Sequence, residues 1–174
     1  IGYGFSTMTG MSNGGATIDF NVDGEDKSAS IFYLYTTPPY YTEEQLLAGE
    51  LSGGAKQDPE TGEMIGEIML SAKIASEMGL ESYEDAIGKI VTVNVAYPLG
   101  DTTINISQKC KITAIVDVNM FEQMLVMYIN YDYLVSLVEE QGGTLSPTAI
   151  YINTDSESTT NIINNFLSTT ESYT

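Results

Sequence analysis

The run from Gly66 to Asp117 limits the architecture more than any other part of the chain, because its apolar pattern changes character several times within it. Ile68, Met69 and Leu70 form an apolar run of strand length, too short for a helix. Ser71 is a good helix cap, since its hydroxyl can accept from the first free amides of a helix beginning at Ala72. Ala72, Ala75, Ser76 and Met78 suit that helix, Gly79 supplies a left-handed stop, and Leu80 packs back after it. Beyond Gly88, Lys89 to Tyr97 alternates strictly: Ile90, Thr92, Asn94 and Ala96 on one face, Val91, Val93, Val95 and Tyr97 on the other. Lys111 to Asp117 adds a further strand. Strand, short helix, strand, strand is an α+β pattern.

The flanks extend the pattern. Ile1 to Gly15 has no period and is expected as a loose approach segment. Ala16 to Val22 alternates, Asp23-Gly24 is a hairpin signal, and Ala29 to Thr37 answers as the second strand. Pro38-Pro39 stiffens the chain ahead of Tyr40 and Tyr41, which are either a contact patch or a cover for the core edge. Thr42 with Gln45 reads as a capping box for a short helix through Ala48, stopped by Gly49. Leu51 to Gly66 reads as a polar surface hairpin and the best candidate for disorder. Ser82 to Gly88 is a capped turn, Thr102 to Ser107 one strand and Lys109 to Val118 the next, and Asn119 to Gln123 is irregular. Val126 to Asn130 reads as a buried strand. Tyr131 to Gln141 is an amphipathic helix with Tyr131, Leu134, Val135, Leu137 and Val138 inward, ended by Gly142-Gly143. Thr148 to Asn153 is a strand, and Ser156 opens a final helix with Ile162, Ile163, Phe166 and Leu167 inward.

Charge excludes several functions. Twenty-four acidic side chains face six lysines, with no arginine or histidine, for a net charge of −18. Such a field repels phosphate backbones, so a nucleic-acid partner is excluded, and it disfavours an anionic membrane surface. Cationic peptides are the complementary ligand class. Without histidine, serine–histidine and cysteine–histidine catalytic arrangements cannot form. Cys110 is the only cysteine, so no internal disulfide exists; it falls in register with Ile112, Ala114 and Val116 as a small buried hydrophobe. Asp19, Asn21, Asp23 and Gly24 begin like a calcium loop, but Lys27 and Ser30 stand where later ligands belong, and a hairpin turn fits better. Asp58 to Glu63 reads as a solvated acidic turn. The carboxylate pairs Glu43/Glu44, Glu84/Asp85 and Glu139/Glu140 fall on polar faces, where nothing raises a proton affinity for acid catalysis. No catalytic, cofactor or metal residues are assigned, and no cofactor is expected.

The order of these phrases resembles a family. Glu67-Ile68 with Leu70-Ser71, Ala75 and Gly79-Leu80, then Gly88-Lys89 with Val91 and Val93, then Ile112 with Ala114-Ile115-Val116-Asp117, look like the extracytoplasmic domain of MacB/FtsX-like ABC transporter permeases. Gln45 to Leu51 and Leu125 to Asn130 resemble flanking segments of that domain, so the likeness covers roughly residues 42 to 168. It implies one extracytoplasmic domain over residues 1–174, with a porter-like lobe from 16–41 plus 145–168 and a middle lobe from 42–144. It also implies a place on the outer side of a bacterial membrane, between flanking membrane helices that this fragment lacks. The implied work is non-catalytic: coupling movement of the membrane helices to export, release or signalling, with ATP hydrolysed by a separate cytoplasmic subunit and the permease acting as a dimer. A secreted or cell-wall-associated adhesion module is the rival reading, and an enzyme working through carboxylates alone is a third.

Overall fold

A computed structural model describes residues 2–6, 15–31, 33–37, 43–51, 54–99, 102–117, 126–144, 149–151 and 157–162. The fold is α+β. In chain order the strands are β1 (Gly2–Ser6), β2 (Gly15–Val22), β3 (Glu25–Ile31), β4 (Tyr33–Thr37), β5 (Leu46–Gly49), β6 (Gly54–Gln57) and β7 (Met64–Ser71). Helix α1 (Ala72–Glu77) follows, then β8 (Ile90–Leu99), β9 (Thr102–Val116), β10 (Val126–Asn130), α2 (Tyr131–Glu140) and β11 (Ala149–Tyr151). Single 3-10 turns precede β5 and β8, and residues 157–162 are helical.

All eleven strands join one mixed sheet in the order β11-β1-β4-β10-β7-β9-β8-β2-β3, with β5 beside β9 and β6 beside β7. The pairs β7–β9 and β4–β10 are parallel and the rest antiparallel. The centre is β7 against β9, where Gly66 to Ser71 align with Cys110 to Val116. Ile68 faces Ile112 and Met69 faces Ala114, so Thr113 is an extra residue, a β-bulge. The bulge is tied down on both sides: the Thr113 hydroxyl donates to the Ile68 carbonyl at 3.0 Å, and its carbonyl accepts the Glu50 amide at 2.9 Å. Where β8 ends its pairing with β9 at Lys111, β5 takes over the same edge from Ala114 to Val116.

Burial follows the alternation. Val91, Val93 and Val95 are buried while Ile90 is 49% exposed, as the period of β8 requires. One contiguous core runs from Ile18 and Ile31 through Ile68, Leu70, Ile112 and Ile115 to Met127 and Ile129, sealed by Ile74 and Ala75 of α1, by Met78 just after it, and by Leu134 and Val138 of α2.

Several local expectations are corrected. Part of the expected approach segment is a strand, β1, held by β11 and β4. Residues 46–49 are not helical: after a 3-10 turn over Glu43–Gln45 they form β5, because the exposed edge of β9 offers backbone partners that the Leu-Leu-Ala propensity cannot outweigh. The second strand breaks in two, β3 staying with β2 while β4 leaves to lie between β1 and β10. The expected break near Gln108 is absent, and β9 runs unbroken for 15 residues. Residues 54–57 and 64–67 pair as the expected surface hairpin, and its two strands are ordered, contrary to the expectation of disorder. Ser71 occupies the cap position of α1, yet its side chain makes no capping bond there. Ile162 points outward, 66% exposed, so the inward stripe drawn for the last helix fails at that position. Tyr40, Tyr41, Asn119 to Gln123, Ile163, Phe166 and Leu167 lie outside the described residues. The β2–β3 hairpin and β11 stand at opposite ends of the strand path, with β4 two places from β11.

Candidate functional site

The sheet brings polar residues from four strands onto one face. Register places Ser28, Asp19, Thr92 and Lys109 in one row across β3, β2, β8 and β9, with Ser30, Thr17, Asn94 and Ser107 in the row beside it. The tight turn at Asp23 (φ 53°) and Gly24 (φ 86°) fixes that register, helped by the Asn21 side chain, which accepts from the Gly24 amide at 3.0 Å. Asn94 donates to the Asp19 carboxylate at 2.6 Å and accepts from the Ser107 hydroxyl at 2.7 Å; Asn21 donates to Asp26 at 2.8 Å. A cleft of about 510 Å³ opens here, lined by Asp19, Asn21, Asp26, Lys27, Ile90 and Thr92 among others. Asp19 and Asn21 therefore serve this face, and not a calcium loop.

A second locus lies under α2. The Tyr133 ring rests directly on Gly66: a Cβ there would stand 2.6 Å from ring carbon Cε1 and 3.0 Å from the Cys110 sulfur. This close approach explains a glycine in the middle of a central strand. Tyr133 is 9% exposed and its hydroxyl has no hydrogen-bond partner among the described residues, although Gln108, which donates to the Met64 carbonyl at 2.7 Å, is its polar neighbour. Burial raises the Tyr133 phenol well above its ordinary value, and burial likewise pushes the Cys110 thiol up to about 12. Cys110 is thus the inert, buried thiol its register suggested. The folded chain holds both protons where the unfolded chain would release them near pH 8.5 and 10. The stability these two groups contribute is therefore complete below about pH 8 and is lost as pH rises from there towards 12. Tyr133→Phe is expected to stabilise the protein by about 1 kcal/mol, since it deletes an unsatisfied buried hydroxyl, and to flatten the alkaline decline. Urea midpoints of both proteins at about pH 8 and pH 11 check this; a destabilised Tyr133→Phe would mean that the hydroxyl is bonded.

The remaining carboxylates do different work. Glu67 is buried in β7 and held by Lys56 at 2.6 Å, which raises the lysine's proton affinity through that bond and charge. Asp58 accepts from the Glu60 and Thr61 amides at 2.8 and 3.1 Å; these bonds lower its proton affinity and make the acidic turn a structural cap. Glu44, Glu84, Asp85, Glu139 and Glu140 are exposed. Among the described residues no three acidic or cysteine side chains gather as a metal site, and no helix is long and apolar enough to cross a membrane. Sequence reading grouped Asp19 with its neighbours along the chain, whereas its working neighbours, Thr92 and Asn94, come from β8. The signal available was the shared alternation of Thr17/Asp19/Asn21 with Thr92/Asn94. No protein-family model matches the chain, and no curated protein matches it either.

Proposed function

We propose that the chain is a non-catalytic extracytoplasmic module of an ABC transporter permease of the MacB/FtsX-like kind, transmitting movement or contact on the outer side of a bacterial membrane. One observation carries the reading: the phrases behind the resemblance fall together on the centre of the molecule. Glu67 to Ser71 lie in β7, Ala72–Glu77 is α1 with Gly79 in the left-handed conformation after it, Val91 and Val93 lie in β8, and Ile112 to Val116 in β9. A long shared strand and a parallel central pair make a stiff plate, suited to carrying displacement between its edges. On this reading membrane helices flank the segment in the full-length protein, the permease pairs with a second copy, and a separate cytoplasmic subunit hydrolyses ATP.

The test uses cells producing the full-length protein with Thr61→Cys, an exposed turn position, beside buried Cys110 and with any cysteine outside residues 1–174 replaced by serine. A membrane-impermeant maleimide is expected to label intact cells, and the protein is expected to stay in the membrane fraction through an alkaline wash. Labelling only after lysis overturns the reading. So does release of the protein by cell-wall digestion, which would favour the wall-associated module.

A further inference from the structure

We propose that the cleft between the β2–β3 hairpin and the start of β8 docks a basic amphipathic peptide segment, laying an apolar side chain on Ile90 and a lysine or arginine side chain against Asp19 and Asp26. Ile90 is a large aliphatic side chain left 49% exposed beside this cleft. Asp19 pairs across the strands with Ser28 and Asn21 with Asp26, so Asp19 and Asp26 are diagonal neighbours on one sheet face, positions that in general lie about 7–8 Å apart. Asn94 fixes one oxygen of Asp19 and Asn21 one oxygen of Asp26, which orients both groups without neutralising either. Of the two lysines lining the cleft, Lys109 is committed to Glu63 at 2.8 Å, and Lys27 reaches back to Gly79 behind α1.

Charge decides the occupant. A second copy of this chain brings another −18, and a phosphate backbone or anionic headgroups bring the same sign. A cation remains. An apolar wall beside two carboxylates suits a long basic side chain, whose methylene stem seeks cover while its head stays wet. A cleft of about 510 Å³ takes several side chains and not a bare ammonium ion. The inference stands apart from the permease reading, because a wall-associated module with the same cleft would dock the same ligand.

The experiment titrates the purified 174-residue chain into a fluorescent peptide of alternating lysine and leucine, following anisotropy at low salt. Asp19→Asn with Asp26→Asn is expected to weaken binding about tenfold, and Ile90→Ser severalfold. The charge-matched double variant Asp132→Asn with Glu139→Gln, on the exposed face of α2, is expected to change it less than twofold. Backbone amide shifts of the unmutated chain supply a second readout, with perturbations expected at residues 19–28 and 90–92. Equal losses in both double variants would reduce the interaction to general charge attraction and overturn the site. Absence of binding at low salt, or shifts concentrated elsewhere, would overturn it too.

Discussion

Gly49→Ala is expected to cost about 3 kcal/mol or more, enough to threaten folding of a domain of ordinary stability. Two penalties combine. Gly49 sits at φ +80°, where an L side chain pays about 1–2 kcal/mol. A Cβ there would also run into the Thr113 carbonyl oxygen and come within 2.8 Å of Ile87 Cδ1. The Thr113 carbonyl cannot yield, because it receives the Glu50 amide from one residue further along the same turn of chain. Gly62→Ala is the control: φ is +73°, yet the nearest atom is the Gln57 amide nitrogen at 3.8 Å, so only the backbone penalty of about 1 kcal/mol applies. Urea midpoints of the two variants separate conformation from collision. Equal losses would show that the Thr113 contact imposes nothing.

Ile112→Ala is expected to cost about 3–4 kcal/mol and to lower the melting temperature by about 10 °C. Ile112 is fully buried, faces Ile68 across the parallel pair, and exchanges backbone bonds with Lys89 (3.0 Å) and Gly88 (2.8 Å) on its other side. Strand β7 on one flank and the Gly88–Lys89 turn on the other hold the backbone in place, so the cavity left by three missing carbons cannot collapse. Ile162→Ala, at a side chain 66% exposed, is expected to move the midpoint by less than about 0.5 kcal/mol. A small loss at Ile112 would mean that the sheet centre repacks freely.

What could be read from the residues was what local periodicity controls. The β8 alternation, the Asp23-Gly24 hairpin, the limits of α1 and the burial of Leu134 and Val138 in α2 each follow from neighbours in sequence, and each is present, although Val135 of the expected stripe does not join the core. What escaped was decided by strands distant in sequence. Gly2 to Ser6 carries no period, and is a strand because β4 and β11 bracket it. Leu46 to Ala48 suits a helix, and is a strand because β8 leaves an edge of β9 open. Tyr133 lay outside the expected stripe, and is buried because α2 sits over Gly66, whose missing side chain makes room for the ring. The cleft was illegible for the same reason, since only the β2–β8 register sets Asp19 beside Thr92 and Asn94.

The parallel pairing of β4 with β10 has a consequence for the order of events on the ribosome. The segment Tyr33 to Thr37 leaves the ribosome well before its partner, Val126 to Asn130. A long intervening loop must close before that ladder forms, which slows the search for the native state. Until then the earlier-made strands present open hydrogen-bonding edges to neighbouring polypeptides, and the abundance of carboxylates gives those unfinished chains a mutual repulsion that holds them apart.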